Sequence, residues 1–175
     1  MDRASQADPL VVLIDLERRV RSILTLDELH FVFVNETHGL IPYRQAILFG
    51  RDGAPLTVSG VADLEHGSPF AHWLKKFISP FVREMDYACQ ITSEDIDPSG
   101  VPDWASWLPV YGFLLPLISP VGDRLGSLLL AGDRIWREDE QAMLDVLAGA
   151  YSHAWMALGR PHKKRTWRGT KGVVK

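Results

Sequence analysis

The sequence predicts an α+β domain with a central antiparallel sheet of about five to six strands and its N- and C-terminal helices packed on one face. Three observations carry that prediction. Tyr111–Ile118 and Leu125–Leu130 are apolar runs of strand length, separated by Ser119-Pro120-Val121-Gly122-Asp123, which concentrates the residue types that reverse a chain. From Arg137 to Leu158 the apolar period changes. Met143, Leu144, Leu147, Tyr151, Ala154, Trp155 and Leu158 recur at three- and four-residue spacings and share one helix face, which the sheet must cover. A second hairpin is written earlier, where Gln45–Phe49 and Leu56–Val61 flank a turn with Asp52-Gly53 at its centre. Strands joined by tight turns run antiparallel, so this is not a doubly wound nucleotide fold.

In chain order, residues 1–9 are polar and read as a flexible N-terminus. Leu13, Leu16, Val20, Ile23 and Leu24 give a first helix an apolar stripe that ends near Leu24. Thr25-Leu26-Asp27-Glu28 then has the form of a capping box, so a second helix starts at Leu26, with Leu29, Phe33, Thr37 and Leu40 on its stripe. The β-branched and aromatic Phe31-Val32-Phe33-Val34 competes as a strand, and the cap favours helix. Gly39 and Pro42 close that element. Ser68-Pro69 reads as N-cap and first residue of a short helix lined by Phe70, Trp73, Leu74 and Phe77, which Pro80 bends or restarts. Tyr87–Ile91 is a short strand, and Thr92 to Leu108 is a long connection with room for a helical turn.

At 175 residues and 46% apolar composition the chain makes one domain, residues 10–159, with a single ordinary core. Cys89 is the lone cysteine, which excludes an internal disulfide, a thiolate zinc cluster and a resolving thiol pair, and fits a reducing, cytoplasmic compartment. Neither a spanning helix nor a signal peptide is expected within these residues. The net charge of −3 hides an asymmetry. Residues 160–175 carry seven of the 19 basic residues and no acid, so the rest holds 12 basic against 22 acidic residues, a formal −10. The tail reads as disordered or juxtamembrane.

The stretch from Leu114 to Trp155 resembles a GAF domain, a ligand-binding and dimerising module related to PAS domains. The residues that carry the resemblance are Pro116-Leu117 closing a strand, Gly126 before the aliphatic Leu128–Leu130, and Trp136 with Asp139 opening the last helix. It extends over roughly Leu10 to Leu158. It implies a noncatalytic sensory, regulatory or assembly domain, and a homodimer built from the terminal helices through Leu13, Val20, Leu147, Tyr151 and Trp155. The family's Asn-Lys-Phe and Asp-Glu cyclic-nucleotide motif has no counterpart, nor do the bilin-attaching, haem-binding or sulfoxide-reducing signatures, so no cofactor is expected. The tail resembles the cytosolic basic segment before a transmembrane helix in bacterial membrane-fusion, or efflux adaptor, proteins of the haemolysin-secretion type. That resemblance implies the cytosolic part of a longer membrane protein at the inner membrane, with Lys163, Lys164, Arg165 and Arg168 near anionic lipid. An apolar span encoded after Lys175 would confirm it.

Candidate chemistry is sparse. No HExxH, GxSxG or phosphate loop occurs, so no catalytic residue and no metal site is expected. His66 and His72 lie six apart near Asp63 and Glu65 and read as surface residues; His153 sits beside the last helix's stripe. Glu94, Asp95, Asp97 and Asp103 lack EF-hand spacing. Trp73, Tyr87, Trp104, Trp107 and Tyr111 gather around the third helix and the long loop that, in the resembled fold, close over one sheet face. They either line an apolar pocket for a planar ligand or fill a core, and the sequence leaves both open. The tail with Trp167 would attract polyanions, yet the acidic body would repel a phosphate backbone, so nucleic acid is not an expected partner.

Overall fold

A computed structural model of the chain describes residues 7–160. Helix α1, Pro9–Arg21, begins where the Asp8 carboxylate accepts from the Leu10 amide at 2.9 Å and Pro9 takes the first turn, where its missing N–H is harmless. Asp8 and Pro9 therefore belong to the helix start rather than to a frayed end, and residues 1–6 lie outside the described residues. Helix α2, Leu26–Asn35, is the cap-directed helix and not the competing strand: the Thr25 hydroxyl accepts from the Glu28 amide at 3.3 Å. The reciprocal half of the box is replaced, because the Glu28 carboxylate turns outward to Arg19, 2.8 Å away, and ties α2 to α1. The helix stops five residues short of Leu40. Thr37 donates its hydroxyl to the Phe33 carbonyl at 2.8 Å, and Thr37–Gly39 tightens into a 3₁₀ turn.

Strands β1, Gln45–Gly50, and β2, Pro55–Val58, form the first hairpin, with Gly53 at φ 81° supplying the left-handed turn conformation. Ser68 caps helix α3, Pro69–Trp73, which runs through a π-helical turn, Leu74–Ile78, into α4, Ser79–Glu84. Pro80 thus restarts the helix, with its absent donor placed in the first turn of α4. Strand β3 is only Cys89–Ile91, and the long connection carries α5, Val101–Trp107. Strands β4, Tyr111–Ile118, and β5, Arg124–Gly132, pair from Tyr111 opposite Gly132 to Ile118 opposite Arg124, and α6, Glu138–Gly159, closes the fold.

All five strands are antiparallel, in the order β2-β1-β5-β4-β3. The central strands are buried on both faces. Ala46 and Leu48 of β1, Phe113, Leu115 and Leu117 of β4, and Leu128 and Leu130 of β5 meet α1, α2 and α6. The alternate residues Ile47, Phe49, Leu114, Leu129 and Ala131 meet α3, the π turn, α4 and α5. The terminal helices lie on one face as the sequence predicts, and the middle helices make a third layer.

Candidate functional site

The aromatic residues of the sequence-predicted cluster do not converge. Trp73 and Trp104 are buried in the α3–α5 layer with ring centroids 6.0 Å apart, edge to face. Each indole N–H is used by backbone: Trp73 Nε1 donates to the Gly100 carbonyl at 3.3 Å, and Trp104 Nε1 to the Pro109 carbonyl at 2.8 Å. Phe77 packs beside them so closely that a Cβ on Gly100 would fall 2.5 Å from its ring. Trp107 stacks on Phe70, centroids 5.4 Å apart, at the edge of this layer. Tyr111 shares its face of β4 with Phe113 and packs on the opposite side of the sheet, while Tyr87 is exposed. The rings that remain together, Trp73, Phe77 and Trp104, pack into the buried core on this face of the sheet. Two hydroxyls in this region, of Ser79 in α4 and Ser127 in β5, are buried without hydrogen-bond partners.

The residues expected at a dimer interface need correction as well. Leu13, Val20, Leu147 and Tyr151 are buried in the chain's own core, because the stripe read from periodicity is the one that the sheet and α2 consume. Tyr151 stacks on Phe33 at 4.1 Å, and its hydroxyl lies 2.6 Å from Thr37 Oγ1. Burial pushes its phenol far up. Trp155 is half-buried and covers Gly126, where a Cβ would stand 2.7 Å from the indole.

A different set faces solvent. Leu10, Val11 and Ile14 of α1 are 61%, 51% and 47% exposed, and Val146 of α6 is 52% exposed. By helical spacing Leu10, Ile14, Glu17 and Arg21 form one stripe on α1. Glu17 and Arg21 flank a groove of about 520 Å³ whose opposite wall on α6 is Val146, Gly149, Ala150, His153 and Ala157. The signal for these residues is present in the sequence as apolar side chains on the polar side of each helix wheel.

Titratable groups are engaged structurally. The Glu140 carboxylate accepts from Arg134 at 2.6 and 2.8 Å and from the Arg137 amide at 2.9 Å, and the Arg134 guanidinium holds it below the ordinary carboxylate range. Burial, with the charge of Asp95, raises the Cys89 thiol and so suppresses its thiolate. His66, His72 and His153 are exposed. Asp95 and Asp97 of the acidic loop cap their own turns, on the Thr92 and Ser99 amides at 2.7 and 2.9 Å. Among the described residues no group of three or more His, Cys, Asp or Glu is placed to hold a metal ion. Lys163, Lys164, Arg165 and Arg168 lie outside the described residues. Among the described residues no helix is long and apolar enough to cross a membrane.

No protein-family model and no curated protein sequence matches the chain. Solved structures do. A GAF domain from a phosphoenolpyruvate-protein phosphotransferase of Coxiella burnetii aligns with a TM-score of 0.63 at 16% identity, over 88% of this chain and 96% of that one. The phycoerythrobilin-bound GAF domain of a cyanobacterial phytochrome aligns at 0.56 and 16% identity, over 85% and 94%. The chromophore-binding domain of a bacteriophytochrome from R. palustris aligns at 0.62 and 10% identity, over 85% of this chain and 60% of that one. The fold is that of a GAF domain.

Proposed function

We propose that the chain is a noncatalytic sensory or regulatory GAF-type domain that acts as a homodimer assembled through α1 and α6. The observation that carries this reading is the row of exposed aliphatic side chains on those two helices beside a groove floored by small residues. Four large apolar groups left in water on adjacent helices are what a symmetric partner would cover, and Gly149, Ala150 and Ala157 allow close helix approach. Glu17 and Arg21, which lie 3.9 Å apart as an i,i+4 pair within the chain, leave the rim of the groove without net charge, so a second copy would meet no like-charge repulsion there. The bilin-bound and chromophore-binding domains among the structural neighbours support the sensing class.

Light scattering coupled to gel filtration tests the assembly. The expected outcome is a dimer that Ile14→Arg together with Val146→Arg converts to a folded monomer, since both positions are exposed within one chain. A parent chain that stays monomeric at high concentration overturns it.

The composition of residues 160–175 supports a membrane-proximal setting on the cytosolic side, of the kind found in secretion and efflux adaptors. Lys163, Lys164, Arg165 and Arg168 would contact anionic headgroups. Binding to vesicles containing phosphatidylglycerol, weakened by salt and absent for zwitterionic vesicles or duplex DNA, is the expected result; equal binding to duplex DNA sinks this setting.

A further inference from the structure

A second cleft, of about 470 Å³, opens between α2 and the edge strand β2 with the segment that follows it. Its walls come from positions that share a side of α2 by spacing, Asp27, His30 and Phe31, and from Leu56, Val61 and Asp63 across from them. Phe31, Leu56 and Val61 are large apolar side chains exposed to solvent within one chain. Exposure of an aromatic and two aliphatic groups around one concavity of this volume is the pattern of a small-molecule site rather than of scattered surface residues.

The charge of the walls selects the ligand. Asp27 and Asp63 both line the cleft, and no Lys or Arg does. His30 is packed edge-on to Trp155 at 4.9 Å, and its Nε2 is sealed from solvent with no hydrogen-bond partner. A protonated imidazole would leave that N–H unpaired, so the ring stays neutral and the cleft keeps its two negative charges. Burial lowers the imidazole's proton affinity in the same sense.

We infer that this cleft binds a small organic ammonium compound, its aromatic or branched aliphatic body against Phe31, Leu56 and Val61 and its cation between Asp27 and Asp63. The volume accommodates a body the size of a phenylalkyl group, and the carboxylates discriminate against anions of the same shape. The site is separate from the α1–α6 groove, so an amine-binding monomer, or a dimer indifferent to the amine, distinguishes failure of one proposal from failure of the other.

The test is titration of the full chain with 2-phenylethylammonium, with 2-phenylethanol and 3-phenylpropionate as the neutral and anionic analogues, followed by amide chemical shifts and calorimetry. Shifts confined to residues 27–31 and 56–64 are expected. Affinity should fall by about tenfold or more for the alcohol, for the carboxylate and for the Asp27→Asn, Asp63→Asn double variant. Val61→Trp, which fills the cleft from an exposed position, should abolish binding in a protein that retains its circular dichroism. Equal affinity for the carboxylate, unchanged affinity in either variant, or no binding at millimolar amine overturns the inference. So do shifts on simple dilution without amine, which mark a second copy as the occupant, and amine-induced shifts in residues 161–175, which mark the chain's own basic segment.

Discussion

Glu140 shows how much a single carboxylate can organise: one group satisfies an orphan amide at the start of α6 and neutralises Arg134. Its folded-state proton affinity lies below the ordinary value. The stability it contributes is therefore complete above the unfolded value of about 4.3 and lost as pH falls through the lower folded value. Glu140→Gln should cost about 1–3 kcal/mol in urea unfolding at pH 7, and the difference should shrink as pH falls below the unfolded value. A difference that stays constant as pH falls would mean that the side chain acts by packing alone. His30 behaves as the mirror case among bases. Burial lowers its value, so the unfolded chain takes up the proton first, and the stability of the neutral ring is complete above about 6.5 and lost as pH falls towards the folded value. Melting temperature should drop on going from pH 7.5 to 5.5, and His30→Phe should remove about 2–4 °C of that drop. Identical slopes in the two proteins would exclude His30 as the source. Neither role was legible in the sequence, because each depends on which neighbour tertiary packing brings within reach.

The contact between β5 and α6 fixes how the last helix lies on the sheet. A Cβ at Gly126 would stand 2.4 Å from the Phe49 carbonyl and 2.7 Å from the Trp155 ring; the first of these is backbone of the paired strand and cannot step aside. Gly126→Ala should destabilise by about 1–3 kcal/mol and shift the fluorescence of Trp155, whereas an unchanged protein would mean that the strand spacing relaxes freely. The elements that the sequence made legible are those written in local chemistry. Asp52-Gly53 placed a turn, Thr25 and Ser68 placed helix starts, and the change of period after Arg137 placed α6. What was not legible depends on parity and register. Tyr111 follows the aromatic loop in sequence, yet strand alternation sends it to the other face from Trp73 and Trp104, so the predicted cluster divides. The α1 and α6 stripes were visible as apolar periods, but a period alone does not distinguish a face consumed by the chain's own sheet from one left for a partner. Leu10, Ile14 and Val146 were visible as apolar positions off those stripes, and the structure was needed to show that they face solvent.

At the scale of the molecule, one sheet separates two apolar layers of unequal construction. The α1, α2 and α6 side is built from helices of 13, 10 and 22 residues. The opposite side is built from one helical run over residues 69–84, in which a π-helical turn separates α3 from α4, and from the seven-residue α5. A helix interrupted by a π turn and a helix of seven residues have little stability of their own and persist by packing Trp73, Phe77 and Trp104 onto the sheet. Native-state hydrogen exchange should therefore show amides of residues 69–84 and 101–107 opening at lower free energy than those of β4, β5 and α6. The two sets would merge only if the whole domain unfolds as one unit, and that result would remove the distinction between the layers. The division leaves the α1, α2 and α6 layer, which bears the proposed dimer face, as the more persistent of the two, so an assembly through that face would survive local opening of the other.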